Sequence, residues 1–120
     1  MNIIFVSRKK GAFIMHIYLD DLREVPKGFI VARSYEECVS LLKENEIETI
    51  SLDHDLGTNK TGYDVCLYMV ENEIYPKEIY IHSANPVGQK NMIQLLNRYM
   101  PIETKLYTRL GDGFIKVFRN

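Results

Sequence analysis

The sequence predicts a single α/β domain built on a mainly parallel sheet. Short apolar runs alternate with helical patterns from residue 15 to about residue 100, as strand–helix–strand units do. The chain has 120 residues, a length that suits one domain with a core of its own. Since no repeat, low-complexity tract or linker interrupts the pattern, we expect residues 15–120 to form one domain.

Apolar runs with strand-like composition predict the positions of the strands. They lie near residues 15–20, 29–32, 47–52, 78–81 and 105–109, and a last strand near 114–118 follows the turn Gly111-Asp112-Gly113 as a C-terminal hairpin. Residues 1–14 allow two interpretations. Either Ile3 to Val6 form an extra strand followed by a turn from Ser7 to Gly11, or the segment is an extension upstream of Met15.

Capping residues predict the starts of three helices. The S/T-x-x-E/D spacing of a capping box precedes helices expected near 35–45 and 62–73. Asn85-Pro86 combines an N-cap with proline at the first helical position, and Pro101 ends this third helix. The loop 21–28 has too little periodicity for a helix, so a regular crossover helix is missing. We therefore expect one face of the sheet to be thinly covered.

Composition excludes several classes of function. Hydrophobic residues make up 46% and charged residues 26% of the chain, and the net charge of −1 gives no basic face for duplex nucleic acid. No apolar stretch approaches the length of a membrane span, and the N-terminus lacks the pattern of a signal peptide. Cys38 and Cys66 are expected to be buried thiols in a reducing compartment. We expect a cytoplasmic location and no membrane partner.

Ionisable side chains follow three of the predicted strands at the point where each strand ends. These segments are Asp20-Asp21, Asp53-His54-Asp55 and His82-Ser83. Ligand sites of open α/β sheets lie outside the carboxyl ends of the strands. Because crowding such groups at one edge costs folding free energy, the cluster predicts a metal ion and a reaction.

The residue types at this edge indicate metal and proton-transfer chemistry. Asp20, Asp21 and Asp53 supply the carboxylate oxygens that Mg²⁺ or Mn²⁺ prefers. His54 and His82 could give or accept a proton near neutral pH. Adjacent residues of a strand point to opposite faces, so at most one residue of the Asp20-Asp21 pair should face the site directly.

Two further features indicate that an anion binds nearby. The planar fork of Arg23 fits phosphate oxygens, although Arg23 could instead pair with the acids. The helix that Asn85 caps directs free N–H groups toward the same edge, as phosphate sites often require. Asp55 is either a binding residue or a loop acid that accepts backbone hydrogen bonds.

These motifs together resemble the cyclic-phosphate-processing branch of the two-component receiver domains. The resemblance covers roughly residues 15–100, and it rests on four segments: Leu19-Asp20-Asp21-Leu22-Arg23, residues 51–57, Gly62-Tyr63-Asp64, and His82-Ser83-Ala84-Asn85-Pro86. It implies a receiver-like, flavodoxin-like three-layer fold with the first crossover helix missing. It also implies that Asp20, Asp21, Asp53, His54 and His82 form the site.

The resemblance leads to one preferred function and leaves alternatives open. We expect a metal-assisted phosphodiesterase that acts on a cyclic phosphate, such as a 2′,3′-cyclic nucleotide or an RNA end, with Asp53, His54 and His82 as catalytic residues. Arg23, Asp55, Ser83 and Asn85 would bind the substrate. The sequence does not assign which histidine is the base, nor the oligomeric state. The alternatives are a non-enzymatic receiver-like switch or nucleotide-binding regulatory module that uses Asp53, and a binding module without metal.

Overall fold

A computed structural model of the chain describes residues 7–9 and 12–118. Within these residues, seven strands form one sheet and three helices pack against it. The strands are β1 (Ser7–Lys9), β2 (Ala12–Leu19), β3 (Ile30–Ala32), β4 (Ile47–Leu52), β5 (Glu78–Ile81), β6 (Lys105–Leu110) and β7 (Gly113–Lys116). The helices are α1 (Tyr35–Glu44), α2 (Gly62–Asn72) and α3 (Pro86–Tyr99).

The strand pairing confirms the predicted α/β architecture. Strands β3, β2, β4, β5 and β6 are parallel neighbours in that order, which is the flavodoxin-like arrangement. Two antiparallel strands extend this parallel core, because β1 pairs with the first residues of β2 and β7 pairs with the edge strand β6. The carboxyl ends of β2, β4 and β5 are therefore adjacent, as the predicted site requires.

The first and last strands of the chain have boundaries that differ from those predicted from the sequence. Strand β2 begins at Ala12 and not near residue 15, because its first residues pair with β1. The turn expected from Ser7 to Gly11 is therefore wrong over Ser7–Lys9, which forms β1, while the strand expected at residues 3–6 lies outside the described residues. The last strand ends at Lys116, two residues earlier than expected.

The helices of the described part of the chain lie side by side on one face of the sheet. Helix α2 packs against both α1 and α3, and the strands present fully buried side chains to this layer, such as Ile17, Ile50 and Ile79. The opposite face carries the other set of alternating residues and is flanked by the loop 21–28. Where three layers were expected, the third is thus reduced to this loop, which occupies the place of the missing crossover helix.

Two further expectations concern the helices. Cys38 on α1 and Cys66 on α2 are free and buried, and burial raises the pKa of the Cys38 thiol to about 12. Both thiols belong to the core and not to a disulfide. No helix in the described ranges combines the length and the apolar character that a membrane span requires.

Candidate functional site

The parallel ladder continues one residue beyond the strand ends and aligns three of the predicted site residues. The N–H of Asp53 donates to the carbonyl of Leu19, and the N–H of His82 donates to the carbonyl of Leu52, both at 3.0 Å. Asp20, Asp53 and His82 are thereby held side by side. By strand alternation their side chains project from the face that carries no helix.

Asp20 is almost fully buried, and its two carboxylate oxygens have different partners. Oδ1 accepts the backbone N–H groups of Leu22 and Arg23 at 3.0 and 2.9 Å, and Oδ2 lies 3.1 Å from Nε2 of His82. Burial acts to raise the pKa of Asp20, but these N–H donors and His82 outweigh it, so the pKa is lowered. Asp20 is therefore a carboxylate at neutral pH.

His82 is fully buried, and both of its ring nitrogens have partners. Nδ1 lies 2.7 Å from Oγ of Ser51, and Nε2 faces Asp20. Burial lowers the pKa of His82 to about 4, although Asp20 acts in the opposite direction. The imidazole is neutral at pH 7. Because a hydroxyl can donate or accept, Ser51 can accommodate either tautomer of the ring.

Sequence reasoning assigned no role to the two residues that support His82. The ring of Tyr18 stacks on the imidazole with centroids 4.3 Å apart and planes 3° apart, and Ser51 provides the hydrogen bond to Nδ1. Tyr18 and Ser51 precede Asp20 and Asp53 by two positions on their strands, so they lie on the same face of the sheet. This spacing of two residues was the signal in the sequence that could have placed Tyr18 and Ser51 beside the site.

Asp53 is only half-buried and lies in a negative electrostatic environment. One of its oxygens accepts the N–H of His54 at 2.8 Å. Burial raises the pKa of Asp53, and the charges of Asp20 and Asp21 raise it further, while the His54 N–H and Arg23 act against this. A cation at this position would relieve the repulsion between the carboxylates.

The geometry of these groups suits a metal ion. One ligand atom from each of Asp20, Asp53 and His82 can be chosen so that all three atoms lie within 4.8 Å of one another. The sequence predicted Asp20, Asp21 and Asp53 as the metal ligands. In the structure, the third member of the group is His82 and not Asp21. Asp21 lies beside Gly57, where an added Cβ would be 3.3 Å from the Asp21 carboxylate. It contributes charge to the site from that position.

His54 and Asp55 form a separate group with Asn85. Nδ1 of His54 lies 2.9 Å from Oδ1 of Asp55, and Nδ2 of Asn85 lies 3.3 Å from both Asp55 oxygens. The His54 ring packs against Gly88 on α3, where an added Cβ would overlap it. His54 is therefore not brought into the group formed by Asp20, Asp53 and His82. Alternation along the strand end accounts for this, since His54 directly follows Asp53.

The residues predicted to bind phosphate differ in how exposed they are and in how many of their polar groups already have partners. Arg23 lies at the edge of the site, 3.7 Å from the Asp20 carboxylate, and its side chain is 40% exposed. The side chain of Asn85 caps α3 by accepting the N–H groups of Val87 and Gly88, so these two donors are already occupied. Ser83 is buried, and its hydroxyl accepts the N–H of Asn85. Arg23 is thus the residue that is most open to an incoming anion.

Arg33 is a further residue that sequence reasoning missed. Its Nη1 donates to the backbone carbonyls of Asp20 and Arg23, at 3.1 and 2.8 Å. Arg33 directly follows β3, and the parallel pairing of β3 with β2 places it beside the end of β2. It therefore fixes the start of the loop that carries Arg23.

The buried, neutral His82 predicts how stability depends on pH in metal-free protein. The unfolded chain binds a proton near pH 6.5 and the folded protein binds it near pH 4, so stability is full above the first value and falls between the two. We expect the free energy of unfolding to fall by up to about 3 kcal/mol between pH 6.5 and about pH 4. Urea unfolding in the presence of chelator measures it. His82→Gln should lose this pH dependence, so a variant that keeps the slope of the parent would contradict the assignment.

Comparison with known proteins places this chain in a family. No curated protein and no solved structure is significantly similar to the chain. The family model of the cyclic-phosphate processing receiver domain matches residues 15–98, a span that contains every residue of the site described above. The chain therefore belongs to the family of cyclic-phosphate processing receiver domains.

Proposed function

We propose that this domain is a metal-assisted phosphodiesterase that opens a cyclic phosphate, such as a 2′,3′-cyclic nucleotide or the cyclic end of an RNA. The observation that carries the proposal is the cluster of Asp20, Asp53 and His82, whose ligand atoms lie within 4.8 Å of one another. Two carboxylates and a neutral imidazole at the carboxyl edge of a parallel sheet suit a cation and a phosphate. The family assignment supplies the class of substrate.

The side chains present fit a divalent cation. Asp20 is ionised, and Asp53 lies in the field of two neighbouring carboxylates. A site with two oxygen ligands and one imidazole nitrogen favours Mn²⁺ over Mg²⁺, since Mg²⁺ takes oxygen ligands and water. When bound, the cation would offset phosphate charge and lower the pKa of a coordinated water.

His82 serves in this proposal as a ligand or a positioning residue, not as a free acid or base. Both ring nitrogens are engaged, and the ring is fully buried against Tyr18. Without a cation, Nε2–H would donate to the Asp20 carboxylate; with a cation bound, Nδ1–H would donate to Ser51 and leave the Nε2 lone pair for the cation. Such a hydrogen bond behind a ligating histidine fixes its tautomer and its orientation.

Of the two histidines, His54 is the candidate for proton transfer, provided that the substrate extends from the cluster to the neighbouring group of His54, Asp55 and Asn85. Its side chain is 18% exposed, and among the residues that the structure describes its one hydrogen-bond partner is the Asp55 carboxylate at Nδ1. An imidazole whose one nitrogen is oriented by a carboxylate can exchange a proton at the other, as in many acid–base sites. Asp55 is then a positioning residue for His54, and Asn85 holds Asp55. Arg23 would neutralise a phosphate oxygen at the edge of the site.

Turnover of a defined panel tests the proposal. The panel consists of 2′,3′-cyclic nucleotides, 3′,5′-cyclic nucleotides and oligonucleotides with a cyclic end, each with Mn²⁺, with Mg²⁺ and with chelator. We expect hydrolysis of a 2′,3′-cyclic substrate that chelator abolishes and Mn²⁺ restores. His54→Ala should reduce kcat by about 10²–10⁴-fold, the usual contribution of general acid–base catalysis. If no substrate of the panel were turned over with either metal ion, the proposed enzymatic activity would be rejected.

Gly88→Ala separates the role of His54 from that of the cation. The added Cβ would overlap the His54 ring, so the ring must move while Asp20, Asp53 and His82 stay in place. We expect kcat to fall at least tenfold and the Kd for Mn²⁺ to stay within about twofold. Titration calorimetry and initial rates measure the two quantities. A variant with native kcat would show that the observed position of His54 does not matter for the reaction.

A further inference from the structure

A cavity of about 540 Å³ opens on the face of the sheet that carries no helix. Its floor lies on the central strand β4, where the small side chains of Thr49 and Ser51 are only 6% and 4% exposed. Tyr18 on β2 and Tyr80 on β5 are in register with Ser51 and line opposite sides of the cavity. Small residues on the middle strand and large rings on both neighbours thus create the depression.

The walls of this cavity are aromatic, and their rings support one another. On one side, Tyr80 stacks on Tyr107 with centroids 4.6 Å apart, and Phe114 meets Tyr80 edge-on at 5.2 Å. On the other side, Phe29 meets Tyr18 edge-on at 5.9 Å. These packed rings offer flat surfaces on which a further planar ring can stack. The volume also lies within the usual range of small-molecule sites.

Charged side chains add a polar edge to the cavity. Glu78 lies on β5, and one of its oxygens accepts the hydroxyl of Tyr80 at 3.4 Å. Arg109 and Lys27 line the cavity as well, and the Arg109 guanidinium lies 5.8 Å from the centre of the Phe114 ring. A hydrocarbon ligand would make no use of this carboxylate and these cations. A heteroaromatic ring with N–H donors and carbonyl or ring-nitrogen acceptors would satisfy them.

We propose that this cavity binds the heteroaromatic base of a nucleoside, stacked against Tyr80 and Tyr18 over the hydroxyls of Thr49 and Ser51. The inference goes beyond the proposed reaction and does not depend on a metal ion. Ser51 and Tyr18 also contact His82, so an occupied cavity would change the surroundings of that imidazole. The nucleoside could be part of the cyclic-phosphate substrate or a separate ligand.

Titration of the chelator-treated full chain with adenosine, guanosine, cytidine, uridine and ribose tests the cavity. We expect at least one nucleoside to bind with saturation, by calorimetry and by shifts of the Tyr80 ring protons, and ribose not to bind. Removing a stacking partner costs roughly 5- to 150-fold in affinity. Tyr80→Leu should show such a loss, and Glu78→Gln should change the preference among the four bases.

The same substitution at Tyr99 provides the control. Tyr99 is 52% exposed and lies on α3, in the layer on the opposite side of the sheet, so Tyr99→Leu should bind nucleosides like the parent. Absence of binding at millimolar nucleoside, or equal affinity in the parent, Tyr80→Leu and Glu78→Gln, would overturn the proposal. So would a dimer of the parent that Tyr80→Leu dissociates, since a second copy would then cover the face.

A competition experiment distinguishes the two sources of the nucleoside. If the base belongs to the substrate, the best-binding nucleoside should displace a fluorescent 2′,3′-cyclic nucleotide, and Tyr80→Leu should raise KM more than it lowers kcat. If the nucleoside is a separate ligand, both molecules should bind together. Either result supports nucleoside binding at this cavity, and a failure of phosphodiesterase activity would leave the calorimetric result unaffected.

Discussion

Replacing Asp53 with asparagine is expected to abolish cation binding and, at the same time, to stabilise the cation-free protein. Substitutions behind a metal ligand already cost 10- to 100-fold in affinity, so loss of a ligand charge should cost at least about 100-fold. A protein that binds the cation would gain about 2.7 kcal/mol of unfolding free energy at a cation concentration of 100 times Kd, a gain that the variant should lose. Thermal unfolding with and without Mn²⁺ measures both effects.

The expected gain in the cation-free state follows from the electrostatics of the site. Burial and the charges of Asp20 and Asp21 raise the pKa of Asp53, which means that its charged form is disfavoured in the fold. Asparagine removes that charge, and its Oδ1 can still accept the His54 N–H. Asp112→Asn, in the exposed β6–β7 turn, is the matched control and should change neither property. A lower unfolding temperature for metal-free Asp53→Asn would contradict this account.

Gly62→Ala should be the most destabilising single substitution among the glycines of the described segment. The first residue of α2 lies so close to the carbonyl group of Asp53 that an added Cβ would overlap its oxygen, and Met92 closes the other side at 3.1 Å. The N–H of Gly62 also donates to the His54 carbonyl at 2.9 Å, which ties α2 to the end of β4. Overpacking of this kind against backbone costs about 3 kcal/mol or more.

Gly113→Ala is the control for this substitution. An added Cβ at Gly113 meets nothing within 4 Å, so the unfolding free energy should change by no more than about 0.5 kcal/mol. Chemical denaturation of the two variants and the parent measures the difference. Should Gly62→Ala unfold at the same denaturant concentration as the parent, the tight approach of α2 to Asp53 could not be a determinant of the fold.

Two simple signals in the sequence were enough to predict the part of the site that the structure brings together. The polar residues that follow apolar runs located the strand ends, and parallel pairing then placed Asp20, Asp53 and His82 side by side. The period of two also limits what such reasoning can place. His54 follows Asp53 directly, so strand alternation turns its side chain to the other side of the strand end. The sequence-based prediction grouped His54 with Asp53 because the two are adjacent in sequence, and it did not take this alternation into account.

Other features depended on contacts that local patterns do not encode. Tyr18 and Ser51 read as ordinary strand residues, and their contacts with His82 arise only because three strands are adjacent. Arg33 reaches the end of β2 only because β3 pairs there. Strand β1 could not be predicted because its residues, Ser7–Lys9, are weak strand formers that depend on the antiparallel partner in β2.

The divided hydrogen bonding of Asp20 has a consequence for how the loop and the site respond to each other. One oxygen organises the first residues of the loop that replaces the missing helix, while the other faces His82. If a cation drew charge from this carboxylate, its hydrogen bonds with the Leu22 and Arg23 amides would weaken. Cation binding and release of the loop would then be thermodynamically linked, and Arg23 lies on the loop segment that this linkage would release.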